Sequence, residues 1–153
     1  SMLMLGSTLL IVCHLTFAFI LPEFKGNNIG GVIVAFATIL VLGSSFSLVP
    51  ASLWPSVPKL VDSKIIGSAY ALIFWIQNIG LMAIPMLIGK ILEWVNPGVA
   101  ERIAAGDITA IYDYTIPMLV FAALGFLAIL LGFMLKKEDK KKKYGLDAPN
   151  IQS

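Results

Sequence analysis

The chain has 153 residues, of which 58% are hydrophobic and 13% are charged, and its formal net charge at pH 7 is +2. Because soluble domains carry about 25% charged residues, this composition excludes an ordinary water-soluble domain. So small a net charge gives no indication of nucleic-acid binding, and a single cysteine, Cys13, excludes an internal disulfide.

Charged side chains are absent from four long stretches: the residues before Glu23, and those between Lys25 and Lys59, Lys64 and Lys90, and Asp113 and Lys136. Each stretch holds the roughly 20 apolar residues that a membrane-spanning helix needs. None shows the polar stripe at every third or fourth position that a soluble helix requires. The sequence therefore predicts an all-α polytopic membrane protein, with a transmembrane domain over residues 1–136 and helices at about 2–22, 28–50, 65–92 and 114–136.

Prolines and a polar turn separate the first three helices. Pro22 and the stretch 26–28 predict a tight first turn. Pro50 is expected to weaken the second helix near its end. Pro55 and Pro58 then predict an irregular or short amphipathic connection, because proline lacks a backbone donor and clashes with the preceding turn.

Lysine and arginine are distributed unevenly between the two sides of the predicted membrane domain. Eight lie on one side, in the connection after the second helix and at the carboxyl end: Lys59, Lys64, Lys136, Lys137 and Lys140 to Lys143. Three lie on the other: Lys25, Lys90 and Arg102. The excess of basic residues in cytoplasmic loops predicts that both termini are cytoplasmic. Residues 137–153 are then a basic cytoplasmic tail that is attracted to anionic lipid.

The first and fourth helices offer little chemistry. His14 stands without the several convergent ligands that a metal site needs, so we interpret it as a packing or hydrogen-bonding histidine. The fourth helix carries one stripe of small residues, which predicts a packing face: Ala122, Gly125, Ala128 and Gly132. No hydrolase, kinase or phosphate-loop motif occurs. The sequence predicts neither an enzyme nor a bound cofactor or metal.

The second helix contains a cluster of small and hydroxyl residues that includes Gly43, Ser44 and Ser47. Gly43 and Ser47 are four residues apart, a spacing that permits close approach of another helix. The same cluster, with prolines beyond it, also suits a deformable segment beside a cavity. Both interpretations stay open, and Ser44 and Ser47 are candidate site residues under the second.

The third helix carries the most informative polar face. Residues at spacings of three and four share one side of this helix: Gly67, Tyr70, Phe74, Gln77, Asn78 and Leu81. Two adjacent amides in mid-membrane are costly unless both find partners. Their two carbonyl acceptors and four N–H donors suit a zwitterionic or multiply hydrogen-bonding solute. An interhelical amide clamp explains them equally well.

Five stretches of the second and third helices add a family signal: SFSL (45–48), ASLWPSV (51–57), GSAYA (67–71), IQNIGL (76–81) and PMLIG (85–89). Together they resemble the major facilitator superfamily, and within it the branch that contains the lysosomal dipeptide uniporter and its bacterial relatives. That family has twelve transmembrane helices in two six-helix halves, with the binding site between the halves. The resemblance implies that the four helices here are helices nine to twelve, a partial C-terminal six-helix bundle.

The same resemblance implies a function and a site. It places Trp54, Tyr70, Gln77 and Asn78 at the cavity or its gate. It implies a C-terminal fragment of a secondary transporter, in a bacterial inner membrane, that moves small organic solutes, dipeptides being the first expectation. The expected partners are the substrate, membrane lipid and the N-terminal helices of a longer parent protein. Without those helices the chain is expected to be inactive, because alternating access needs both halves.

A hypothesis from a different class competes with this one. An even number of helices with both ends on one side also suits a self-contained four-helix membrane protein that acts as a structural or interaction subunit. A channel formed by several copies would need a pore-lining polar stripe in each copy, and only the third helix supplies one.

Overall fold

The computed structural model describes residues 2–24, 28–146 and 148 of the chain, and these residues form helices and connections without a strand. In these described residues six α-helices follow one another: α1 (Met2–Leu15), α2 (Ile29–Leu53), α3 (Val57–Leu60), α4 (Ile66–Val95), α5 (Val99–Ala104) and α6 (Thr115–Lys142). Four helical segments of the described ranges are long and apolar enough to cross a membrane: Met2–Glu23, Ile29–Leu60, Ser63–Val95 and Thr115–Lys142. The expected all-α polytopic fold is confirmed.

The first span keeps its predicted length, whereas the second and fourth helices end later than the sequence-based bounds. The first span continues past α1 as a π-helical turn, Thr16–Ile20, and a 3₁₀ turn, Leu21–Glu23. Helix α2 runs through Pro50 to Leu53, because neighbouring turns maintain the helix around one missing donor. Helix α6 continues beyond the predicted bound at 136 to Lys142, since lysine is a good helix former.

The connections follow the proline and turn signals. Between α2 and α4 the chain forms the predicted irregular link, which consists of a 3₁₀ turn at Trp54–Ser56, the four-residue helix α3 and a second 3₁₀ turn at Ser63–Ile65. Of the predicted first turn, residues 26 and 27 lie outside the described part of the chain. Its last residue, Asn28, caps α2 by accepting a hydrogen bond from the Gly30 N–H at 2.9 Å.

Helix α1 lies between α2 and α6, and glycines set both contacts. A Cβ at Gly6 of α1 would lie 3.1 Å from the Ser45 carbonyl oxygen of α2. A Cβ at Gly125 of α6 would lie 2.6 Å from the Ile11 side chain of α1. Ala122 and Gly132 are buried along the same face of α6, so the predicted small-residue stripe is the surface that packs on α1.

The other predicted close contact, at Gly43 and Ser47, does not form among the residues that the structure describes. A Cβ at Gly43 would meet no atom within 4 Å, and Ser47 is exposed. Ser45, two positions from each, is fully buried instead. Helix α2 therefore packs on α1 through the side that carries Ser45, and Gly43 and Ser47 lie on another side.

Replacing Gly6 by leucine tests the α1–α2 contact. The new side chain would collide with the α2 backbone and the Leu48 side chain, which is expected to lower stability by about 1–3 kcal/mol. Gly43→Leu is the matched control, because it gains the same helix propensity but enters open space. Unfolding of both variants in detergent, followed by circular dichroism, measures the difference. Equal stability of the two variants would contradict this packing.

Candidate functional site

Three aromatic rings meet where α2 gives way to α4, and we call Trp54, Tyr70 and Phe74 the aromatic corner. The Trp54 and Phe74 rings stack with centroids 4.9 Å apart, and the Trp54 and Tyr70 centroids are 5.7 Å apart. The Tyr70 hydroxyl donates to the Trp54 carbonyl oxygen at 3.1 Å. The corner thus fixes the end of α2 against the second turn of α4.

The proline-rich link explains why these rings meet. Trp54 opens a 3₁₀ turn that contains Pro55, and Pro58 lies at the start of α3, so the chain turns away from the α2 axis at once. Asp62 then begins the return, because its carboxylate accepts from the Lys64 N–H at 3.0 Å just before α4. Twelve residues, 54 to 65, bring the chain back beside its own starting point.

Gln77 and Asn78 continue the Tyr70 and Phe74 face of α4 by one to two turns. The Asn78 amide donates to the Phe74 carbonyl oxygen of its own helix at 2.8 Å. Within the described residues the Gln77 amide makes no hydrogen bond. Both side chains are exposed, so neither forms an interhelical clamp inside this chain.

The two candidate serines lie on the exposed side of α2. Ser44 donates to the Leu40 carbonyl oxygen at 3.0 Å and Ser47 to the Gly43 carbonyl oxygen at 3.1 Å. Ser47 precedes Trp54 by seven residues and so lies on the same side of the helix as the aromatic corner. The structure joins Trp54 with Tyr70 directly, but it shows no contact between these serines and the amides of α4.

The candidate residues form an open face and not a closed pocket. Three cavities, of about 310, 650 and 920 Å³, lie among other side chains, and none of these three is lined by Gln77, Asn78 or Tyr70. Helix α4 contributes no buried residue at all over its 30 residues. The polar face of α4 is therefore exposed and is not covered by the described residues.

Two positioning residues were missed by the sequence analysis. Phe74 was placed on the α4 face but not among the site residues, although its spacing of four from Tyr70 predicts a shared contact. Asn96, which is 7% exposed, joins the end of α4 to the start of α6. It donates to the Asp113 carbonyl oxygen at 3.0 Å and accepts from the Asp113 N–H at 2.7 Å. No local pattern reveals a partner 17 residues away.

Asp113 is itself tied to the first turn of α6. Its carboxylate accepts from the Thr115 N–H at 2.8 Å, and hydrogen bonds from the Thr115 side chain and N–H lower the pKa of Asp113 below its usual value. Asn96 and Asp113 together fix the loop at the end of the bundle opposite the aromatic corner.

His14 has the packing role expected from the sequence. Its Nδ1 lies 2.7 Å from the Leu10 carbonyl oxygen, and its ring centroid lies 5.3 Å from that of Phe121. In the part of the chain that the structure describes, no three His, Cys, Asp or Glu side chains converge as metal ligands would.

The fold and its apolar helices define an integral membrane protein. The chain is similar to part of a curated membrane transporter. It is 35% identical to the lysosomal dipeptide transporter MFSD1 of Mus musculus over 92 aligned positions, which cover 48% of this chain and 20% of the mouse protein. The human MFSD1 is 34% identical over 92 positions, which again cover 48% of this chain and 20% of the relative. The MFSD1 of Bos taurus is 42% identical over 53 positions, which cover 35% of this chain and 11% of the bovine protein.

The matched chain spans about a fifth of the length of the mouse and human relatives. No family model matches the sequence. No solved structure matches it either. The partial matches support membership of the major facilitator superfamily.

Two asparagines allow a sharp test of which polar groups hold the fold. Asn96→Ala removes the three hydrogen bonds of a buried amide, to Leu92 and to the Asp113 backbone, and is expected to lower stability by about 1–3 kcal/mol. Asn78→Ala removes one exposed bond to its own helix and should change stability by no more than about 0.5 kcal/mol. Unfolding of the purified chain in detergent compares them. A larger loss in Asn78→Ala would overturn the structural assignment of both residues.

Proposed function

We propose that this chain is the C-terminal part of a secondary transporter of the major facilitator superfamily that moves small organic solutes by alternating access. The four membrane segments are helices nine to twelve of the parent. The chain belongs in a bacterial inner membrane with both termini cytoplasmic, and dipeptides are the first solutes to test. This proposal is supported by the similarity to MFSD1, whose name states dipeptide transport in the lysosome.

One structural observation carries the proposal. Helix α4 is long enough to cross the membrane, yet none of its residues is buried and it presents Gln77 and Asn78 on its surface. An amide that faces hydrocarbon without a partner costs several kcal/mol. This face therefore needs either further protein or a water-filled path, and an interface between two transporter halves provides both.

The proposal assigns a role to each candidate residue, and the geometry supports these assignments. Gln77 and Asn78 are the groups that hydrogen-bond the solute, because their amides offer donors and acceptors on the exposed face of α4. Trp54 and Tyr70 act as a gate at the corner that joins α2 to α4. Ser44 and Ser47 line the α2 side of the path. Their hydroxyls already donate to their own helix and remain available as acceptors.

Transport by the longer parent protein, reconstituted in liposomes, tests these roles. Gln77→Ala and Asn78→Ala should each lower the apparent affinity for a transported dipeptide by about 2–10-fold, the effect of losing one hydrogen bond. Thr8→Val is the control, since this hydroxyl on α1 bonds only the Met4 carbonyl oxygen of its own helix. The 153-residue chain alone should show no saturable uptake. Unchanged uptake by both amide variants, or saturable uptake by the chain alone, would refute the proposal.

A second proposal is a self-contained four-helix interaction subunit, for which the unpartnered face of α4 is a docking surface. The coding DNA upstream of Met2 separates the two. A transporter fragment requires an open reading frame that continues upstream through about eight further hydrophobic segments, the number that a twelve-helix fold lacks here. A stop codon and ribosome-binding site immediately upstream would favour the interaction subunit.

A further inference from the structure

A cavity of about 310 Å³ opens at the end of the bundle where α1 begins and α6 ends. Its charged lining consists of Lys59, Lys136 and Asp139, and Met2 and Leu3 belong to its apolar wall. Two ammonium groups and one carboxylate leave this lining with one net positive charge (2 − 1 = +1). The lining of the cavity thus combines a net positive charge with apolar side chains.

The Lys59 ammonium already has oxygen ligands in this structure. It donates to the Gly145 carbonyl oxygen at 2.9 Å and to the Ala148 carbonyl oxygen at 2.5 Å. These acceptors come from the segment that follows α6, which is also held by a hydrogen bond from the Leu146 N–H to the Asp139 carboxylate at 3.2 Å. Both acceptors of the Lys59 ammonium are thus neutral carbonyl oxygens. A negatively charged acceptor in the same position would form a stronger hydrogen bond with the ammonium.

We propose that this cavity is a phosphate-binding site, with Lys59 and Lys136 as its cationic ligands and the Gly145 and Ala148 carbonyls as an internal competitor. A phosphate group offers two or more oxygen atoms to one ammonium, as the two carbonyls do, and adds a negative charge. A phospholipid headgroup at the membrane surface and free phosphate both carry this chemistry. The apolar wall beside the lysines also suits the glycerol and acyl ends of a phospholipid. The inference is independent of the transport proposal.

Binding of phosphatidylglycerol to the full chain in detergent micelles tests the site, with phosphatidylcholine as the uncharged reference. Lys59→Met and Lys136→Met should each weaken phosphatidylglycerol binding by about tenfold, the effect of losing one charge-assisted hydrogen bond. Lys64→Met and Lys137→Met are matched controls, because they change the net charge equally but remove side chains that do not line the cavity. Native mass spectrometry counts the bound lipid, and circular dichroism checks that each variant is folded.

Ending the chain at Tyr144 distinguishes a site from simple attraction to a basic tail. This truncation keeps Lys140 to Lys143 but removes both carbonyls that bind Lys59 and the negative charge of Asp147; Asp147→Asn in the full chain removes that charge alone. Competition predicts tighter phosphatidylglycerol binding by the truncated chain than by Asp147→Asn. Equal losses in the cavity and control lysine variants, weaker binding after truncation, or equal binding of phosphatidylcholine would each overturn the proposal.

Inorganic phosphate identifies the source of the ligand. Displacement of phosphatidylglycerol by inorganic phosphate, lost in Lys59→Met, would support the site and assign it to the phosphate group alone. Lipid binding that depends on Lys59 but resists inorganic phosphate would support the site and assign it to the phospholipid. Equal displacement by inorganic phosphate in Lys59→Met and Lys64→Met would show that phosphate acts only by raising the ionic strength. This result would refute the proposed site.

Discussion

Satisfaction of polar groups without water is the constraint on which the rest of this structure depends. In the hydrocarbon core a polar group must find its partner within the protein. Many hydroxyl side chains solve this locally, because they donate a hydrogen bond to a carbonyl oxygen one turn back on their own helix. This pattern recurs through the spans at Thr8, Thr16, Thr38, Ser44, Ser45, Ser47 and Ser56. Such residues are compatible with lipid and with protein alike, so their presence alone does not identify a binding face.

Close packing around α1 follows from a second consequence of the lipid environment. Because lipid tails are as apolar as leucine, helices associate through intimate contact and not through hydrophobic burial. Gly6 and Gly125 supply that contact on the two sides of α1. Ser7 is fully buried there, and its hydroxyl is the one buried side-chain polar atom without a hydrogen-bond partner in the described part of the chain. The structure offers no physical account of that exception.

Sequence patterns predicted what depends on neighbours along the chain, and missed what depends on distant residues. Four charge-free stretches predicted the four spans, and the prolines at 55 and 58 predicted the broken link between α2 and α4. The small-residue motif at Gly43 and Ser47 was assigned to close packing as one alternative, but α2 turns a different side toward α1. Spacing of four identifies a possible contact without saying which side of a helix finds a partner.

Contacts between residues far apart in the sequence could not be predicted from sequence patterns. The bonds from Asn96 to Asp113, and from Lys59 to Gly145, join residues 17 and 86 positions apart. Neither pair leaves a periodic signal, since each partner is a backbone group that any residue could supply. The candidate amides of α4 need no such distant partner to be noticed. Gln77 and Asn78 became candidates because they are amides in the middle of a membrane-spanning segment.

The contrast between Asn96 and Asn78 explains why α4 must face a further polar group. Asn96 is buried and has its amide satisfied by three hydrogen bonds, to Leu92 and Asp113. Asn78 is exposed and uses one N–H on its own helix, which leaves its carbonyl oxygen and second N–H without partners among the described residues. Since a hydroxyl can be satisfied by one helical turn and an amide cannot, the exposed serines of α2 are indifferent to their surroundings. The exposed amides of α4 are not, and they require a polar neighbour at membrane depth.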